Sequence, residues 1–276
     1  MLRSNHGTFS SRDRPRSVWA YPANASLNGD FDVSAEVTST IFDLQIKTDG
    51  TKLYILANGS STATTIFQYT LTIPWDITSL VYDNKTIDIS TLVVGAKATG
   101  FRIGDDGNKF YFSNENDSWV IEQSTLSTPW DISTAVYDSI TSAYVVPTYS
   151  FSFKADGTML FVAYTQGNRL VSYELSTPWD ISTNGGAING ASIKTASTGA
   201  RVEPNGEHSL CINNPGADTV DSYSMEPSWD VSTMAIVSTL TMSERGAVAL
   251  DVGEDGRYFY VGGGTTSKVY RYRAGQ

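Results

Sequence analysis

At 276 residues, 40% of them hydrophobic, the chain is long enough for a large domain and too apolar to be disordered. A net charge of −10 argues against nucleic-acid binding. No run is apolar enough to span a membrane, so no membrane insertion is expected, and the single Cys211 rules out an intrachain disulfide.

Residues 1–17 hold Arg3, Arg12, Arg14 and Arg16 against Asp13 and lack an apolar run. They read as a basic arm and not as a secretory signal. Residues 18–276 form one repeat domain. Val18-Trp19-Ala20-Tyr21 resembles a strand, compared with Ile66-Phe67-Gln68-Tyr69. Phe31-Asp32-Val33-Ser34 then gives the faint first copy of a phrase that organises the rest. That phrase is Pro74-Trp75-Asp76-Ile77-Thr78, repeated as Pro129-Trp130-Asp131-Ile132-Ser133 and Pro178-Trp179-Asp180-Ile181-Ser182, and weakened to Ser228-Trp229-Asp230-Val231-Ser232.

A second phrase alternates with it. Asp49-Gly50, Asp106-Gly107, Asp156-Gly157, Asn205-Gly206 and Asp255-Gly256 recur at steps of 57, 50, 49 and 50 residues. Such pairs between apolar runs signal tight hairpins, because both residues tolerate positive φ. The third unit is clearest. Ser150 to Lys154 alternates, Met159 to Ala163 reads as a buried strand, Leu170 to Leu175 as a third, and a fourth is expected near Ala191 to Lys194. Four antiparallel strands per period of about 50 residues define a propeller blade. The expected fold is an all-β, five-bladed β-propeller of four-stranded antiparallel blades. The last unit supplies three strands, so an N-terminal strand, expected over Ala35–Thr38, joins the C-terminal blade and closes the ring. Val18-Tyr21 and Lys268-Tyr272 compete for its third strand.

The Asp-Gly and Trp-Asp turns fall on one face of the disc. The Trp is expected to wedge between blades, and the Asp to bond backbone N–H groups of its own turn. Cys211 reads as a plain buried thiol. Asp105-Asp106-Gly107-Asn108 comes nearest to a calcium loop but lacks its run of oxygen ligands, so no metal and no cofactor is expected.

Along the innermost strands, Leu44, Phe101, Phe151, Ala200 and Leu250 form one apolar column, and Ile46, Ile103, Phe153, Val202 and Val252 another. The column between them is Gln45, Arg102, Ser152, Arg201 and Asp251, which alternation sends towards the axis. It can be a polar plug in which Asp251 pairs with an arginine. It can also be a small anion or sugar site. On the opposite face, loops carrying Asn58, Asn114, Tyr164, Gln166, Asn213 and Asn214 offer donors, acceptors and a flat ring to a ligand. No enzyme is expected: Asp43 and Asp251 are the only suitable axial acids, and His208 follows a hairpin turn, where it is expected to face solvent.

The tandem form Phe-x-Phe-x-x-Asp-Gly-Thr-x-Leu-Tyr-Val followed by Val-x-x-Tyr-x-Leu-Ser-Thr-Pro-Trp-Asp-Ile-Ser-Thr fits Phe151 to Thr183 closely. Ile46 to Ser79 and Phe101 to Thr134 fit it well. It resembles the propeller repeats of bacteriophage structural proteins, notably marine ones, and of related bacterial proteins. The fourth unit departs, with Asn205 for Asp and Ser228 for Pro. The resemblance covers roughly residues 30–273. It implies a virion location and a tail, fibre or receptor-binding protein contacting a host surface polysaccharide or protein. Alternatively it implies capsid decoration or particle joining without a ligand. A polysaccharide-degrading enzyme is the weaker alternative. It also implies an oligomeric state within a particle, with the arm residues Arg3, Arg12, Arg14 and Arg16 as a tether to other virion proteins.

Overall fold

The computed structural model describes residues 17–275 except 59–63, 105, 144–145, 195–196, 214–217, 244–245, 254–255 and 264–265. The arm residues Arg3, Arg12, Arg14 and Arg16, and the loop residue Asn214, lie outside the described residues. The chain is a five-bladed β-propeller of four-stranded antiparallel sheets. From axis to rim, the first blade runs Ile41–Ile46, Lys52–Asn58, Thr64–Leu71 and Leu80–Asp88. The second runs Phe101–Ile103, Lys109–Asn114, Val120–Leu126 and Ala135–Thr141. The third runs Thr148–Phe153, Met159–Tyr164, Arg169–Glu174 and Ile188–Ser192. The fourth runs Ser197–Val202, His208–Asn213, Thr219–Ser224 and Ala235–Thr241. The fifth takes Ala249–Val252, Tyr258–Gly262 and Lys268–Arg273 from the end of the chain and Ser26–Asp32 from its beginning.

The core sits between blades. Tyr54, Leu56 and Ile66 of the first blade pack with Phe101, Phe110 and Phe112 of the second. Tyr111 and Ile121 of the second meet Phe151, Leu160 and Val162 of the third. Cys211 is buried with Phe161 and Ala200 between the third and fourth. Each such interface removes apolar surface from water, about 25 cal/mol per Å², and the ring repeats it while axial side chains bond edge N–H groups of the innermost strands, such as those of Ile46, Phe101 and Ile103.

Both turn phrases lie on one face, as expected. The N–H groups of Trp75, Trp130, Trp179 and Trp229 donate to the carbonyls of Gly50, Gly107, Gly157 and Gly206 at 3.0, 3.0, 3.0 and 2.9 Å. Each indole therefore lies on its own blade's hairpin. These glycines are obligatory: Gly157 has φ 71°, and a Cβ there would stand 2.3 Å from the Trp179 ring. The indoles also reach the preceding blade. Lys47 Nζ lies 5.3 Å from the Trp130 ring centroid and Lys154 Nζ 5.1 Å from that of Trp229. Tyr54, Tyr111 and Tyr260 donate their hydroxyls to the carbonyls of Trp130, Trp179 and Trp75 at 2.6, 2.8 and 3.0 Å. The Asp of each phrase accepts from the backbone N–H two residues on: Thr78, Ser133, Ser182 and Ser232, at 3.1, 3.2, 3.0 and 2.9 Å.

Ring closure differs from the sequence expectation. Lys268–Arg273 is the third strand of the fifth blade, and Val18-Tyr21 is not a strand. Instead Val18 donates to the Gly256 carbonyl at 2.8 Å, and Trp19 lies against Gly256. Trp19 is the fifth blade's turn tryptophan. The fourth strand is Ser26–Asp32, not Ala35–Thr38. Asp32 accepts from Ser34 N at 2.8 Å in a turn that follows the outer strand, as Asp88 accepts from Ser90 after Leu80–Asp88. The faint copy at Phe31 to Ser34 was thus a different turn built on the same Asp-x-Ser chemistry. In the third blade the outer strand begins at Ile188, earlier than the stretch expected around Ala191 to Lys194.

Candidate functional site, a blind cup at the axis

The innermost strands place Gln45, Arg102, Ser152, Arg201 and Asp251 around one cavity of about 210 Å³. The alternation argument holds for all five: the column between the two apolar columns is the one that meets the axis. The cavity opens beside the tryptophan turns. Trp19, Trp75, Trp179 and Trp229 line it, with Thr48, Ala155, Glu203 and Pro204 nearer the mouth.

Its floor is closed by one residue outside the predicted column. Asp43, two positions before Gln45, is 1% exposed. It accepts from Arg102 Nη1 and Arg201 Nη2, both at 3.0 Å, and from the backbone N–H groups of Leu44 at 2.9 Å and Phe101 at 3.1 Å. The corresponding positions in the other blades are Gly100, Ser150, Gly199 and Ala249. A Cβ on Gly100 would stand 2.8 Å from the Tyr149 carbonyl. One long acid among four small residues lets a single carboxylate reach guanidiniums from two other blades.

Asp251 pairs with Arg201, as the plug reading expects, through Nε at 2.8 Å, and accepts from Ile46 N at 2.7 Å. Arg201 uses every N–H it has. Nη1 donates to Ser150 Oγ at 2.7 Å and the Ala200 carbonyl at 2.6 Å, and Nη2 also reaches the Leu44 carbonyl at 3.2 Å. Gln45 spends its amide on Ile103, donating to its carbonyl at 2.9 Å and accepting from its N–H at 2.7 Å. Arg102 is 5% exposed, and its buried Nε has no partner among the described residues. Burial raises the carboxyl pKa of both Asp43 and Asp251, while the Arg201 guanidinium pulls each back down.

The opposite-face loops do not form a comparable site. Asn114 and Asn213 are buried, not surface-facing. Asn114 Nδ2 donates to Glu122 at 3.2 Å and Asn213 Nδ2 to Asp221. Each sits at the end of a second strand, where a polar side chain is held by an acid on the neighbouring strand. Tyr164 is half-buried against the core between the second and third blades, and its ring packs on Gly167. Gln166 is exposed, and Asn58 closes the strand that begins at Lys52.

His208 is half-buried, not solvent-facing, and its Nδ1 lies 2.8 Å from Glu203 Oε2. The Asn205-Gly206 hairpin folds these two residues together with Glu207, bringing their ligand-type atoms within 4.8 Å of one another. The signal was present in the sequence as Glu203, Glu207 and His208 flanking a tight turn. The pair across the hairpin accounts for the cluster.

The fold and the cup define a five-bladed propeller with a blind axial pocket on its tryptophan face. No family model and no curated protein matches the sequence. Among solved structures, the chain is similar to Myxococcus xanthus glutaminyl cyclase, with 12% identity over 90% of this chain and 95% of that one and a TM-score of 0.59. It is also similar to a 6-phosphogluconolactonase-like protein from Bacteroides uniformis, with 11% identity over 79% of this chain and a TM-score of 0.48, and it spans 62% of that protein's length. The β-propeller domain of Myceliophteria thermophila Cps50 gives 11% identity, coverage of 82% and 62%, and a TM-score of 0.46. At such identities the likeness concerns the fold. A fold alone does not choose between binding and catalysis.

Proposed function

We propose that this chain is a non-catalytic binding module that takes a carbohydrate unit of a host cell surface in its axial cup, carried on a phage particle. The observation that supports the binding is the cup itself. Four indoles line a small cavity whose floor offers both donors and acceptors. Aromatic faces suit the C–H faces of a sugar ring, and mixed polar groups suit its hydroxyls. The virion assignment is supported by the likeness of the Phe151 to Thr183 repeat to phage propeller repeats. In that setting the basic arm tethers the ring to an acidic particle protein.

An array of host surface polysaccharides tests the binding, with Trp179→Ala as the control. Saturable signal lost in the variant is the expected result, and a blank array overturns the reading in favour of a particle-joining role. Deleting residues 1–16 tests the tether, since Ser17 belongs to the closing turn through its Oγ, which accepts from Trp19 N at 3.2 Å. The truncated protein is expected to be missing from purified particles. A catalytic reading is favoured by one observation, the raised pKa of Asp251 at the cavity wall. Polysaccharide turnover abolished by Asp251→Asn would replace binding with catalysis.

A further inference from the structure

The two arginines of the axial column suggest an anionic ligand in the sequence, but the structure has already spent their charge. Within the cup, Arg102 and Arg201 face Asp43 and Asp251, so the four charges cancel. Arg201 has no N–H left for a ligand, because Asp251, Ser150, Ala200, Asp43 and Leu44 accept from it. A carboxylate or phosphate needs at least two converging charged donors to offset its desolvation. Arg102 keeps one N–H on Nη2, whose other N–H donates to Asp43 at 3.4 Å, while its Nε is buried and has no partner among the described residues. Glu203 stands near the mouth, and the chain as a whole carries −10, so approach of an anion is also opposed at long range.

The groups that remain are of another kind. Arg102 Nη2 is a single donor. Ser152, between the blades that supply the two arginines, has a short side chain and adds a hydroxyl that both donates and accepts. Asp251 accepts from Arg201 Nε on one oxygen and from the Ile46 N–H on the other, and also from the Val252 N–H, which leaves part of the carboxylate's acceptor capacity unused. A donor, a hydroxyl and an acceptor around one small cavity match two adjacent hydroxyls, each of which donates one hydrogen bond and accepts another.

We infer that the cup selects a neutral pyranose over an acidic one, holding a vicinal diol between Arg102 and Asp251 with its edge over Ser152. This rests on the reading of the cup as a sugar site. The diol accepts from the remaining N–H of Arg102 Nη2 and donates to Asp251, while the indoles flank the ring.

The test is saturation-transfer NMR and calorimetry on the full chain at fixed ionic strength. The probes are methyl α-glucopyranoside, methyl α-mannopyranoside and methyl α-galactopyranoside, against glucuronate, galacturonate and N-acetylneuraminate. At least one neutral glycoside is expected to bind ten-fold or more tighter than every acid. Acids binding as tightly as the neutral sugars would overturn the selectivity while leaving carbohydrate binding in place. No binding by either class would overturn both. Ser152→Leu fills the cup and is expected to abolish the signal with the melting temperature little changed. Undiminished binding by that variant would remove the ligand from the axis. Should the variant fail to fold, the neutral-against-acidic comparison on the wild-type chain still decides the selectivity.

Discussion

The cup floor and the ring of turns above it both depend on Asp, used in opposite ways. In the turns, Asp is repeated blade after blade, half exposed, and each copy binds a backbone N–H two residues on. In the floor, Asp occurs once at each of two levels, is buried, and binds across the axis. The turns therefore tolerate the loss of one copy, since the other three still close their own blades. The floor has no second copy of anything. The largest effect of any single substitution is accordingly expected at Asp43. Replacing it with Ala leaves Arg102 and Arg201 short of their shared partner, and breaking a buried ion pair from one side costs about 3–5 kcal/mol. Urea unfolding of Asp43→Ala should show the loss, and a change under about 1 kcal/mol would mean that the floor is not the hub described here.

Trp19 tests the comparison from the turn side. It is the one turn indole supplied by a distant part of the chain, and it is 5% exposed while the other four are half-buried. Trp19→Ala removes a buried aromatic at the point where the ring closes, at a cost of about 3–5 kcal/mol. Trp179→Ala should cost less, because Phe153 and Tyr111 still pack that interface. Equal losses in the two variants would remove the distinction between the closing turn and the repeated ones. Gly157→Ala should follow with about 1–3 kcal/mol from its positive φ alone, together with a change in indole fluorescence as the Trp179 lid is displaced.

What could be read from the sequence follows the same division. Repetition carried the blades, both turn types, the shared face and the axial column, because a period exposes any residue that keeps its place. Closure was not readable in this way. Val18-Trp19 lacks the Pro before and the Asp after, so nothing marks it as a turn of the same kind. Asp32-Val33-Ser34 displays the motif chemistry at a different corner of the blade. Asp43 was visible as an axial acid, but its reach depends on Gly100, Gly199 and Ala249 being small, which only the register between blades reveals. The loop asparagines misled for a related reason. Asn114 and Asn213 sit where strand becomes loop, and one residue of phase decides between solvent and a buried acid.

The smallest predicted effect separates the two uses of Asp by pH. Five turn and hairpin carboxyls, Asp49, Asp76, Asp106, Asp131 and Asp156, are held below their usual value. Asp156 is lowered to about 2, chiefly by hydrogen bonds from Lys154 and Thr158, and Asp76 and Asp131 are lowered too. A group depressed in the fold contributes stability that is present above its unfolded value near 4 and is lost as pH falls through the folded one. The axial pair has the opposite sign. Burial raises Asp43 and Asp251, so the folded state holds protons that the unfolded chain has released, and their contribution declines as pH rises above about 4. The melting temperature should therefore fall on acidification from pH 4 to 2. Asp156→Asn removes one depressed carboxyl and should flatten that limb slightly while leaving the slope above pH 5 unchanged. An acid limb left unchanged in Asp156→Asn would mean that this carboxyl does not contribute to the acid sensitivity.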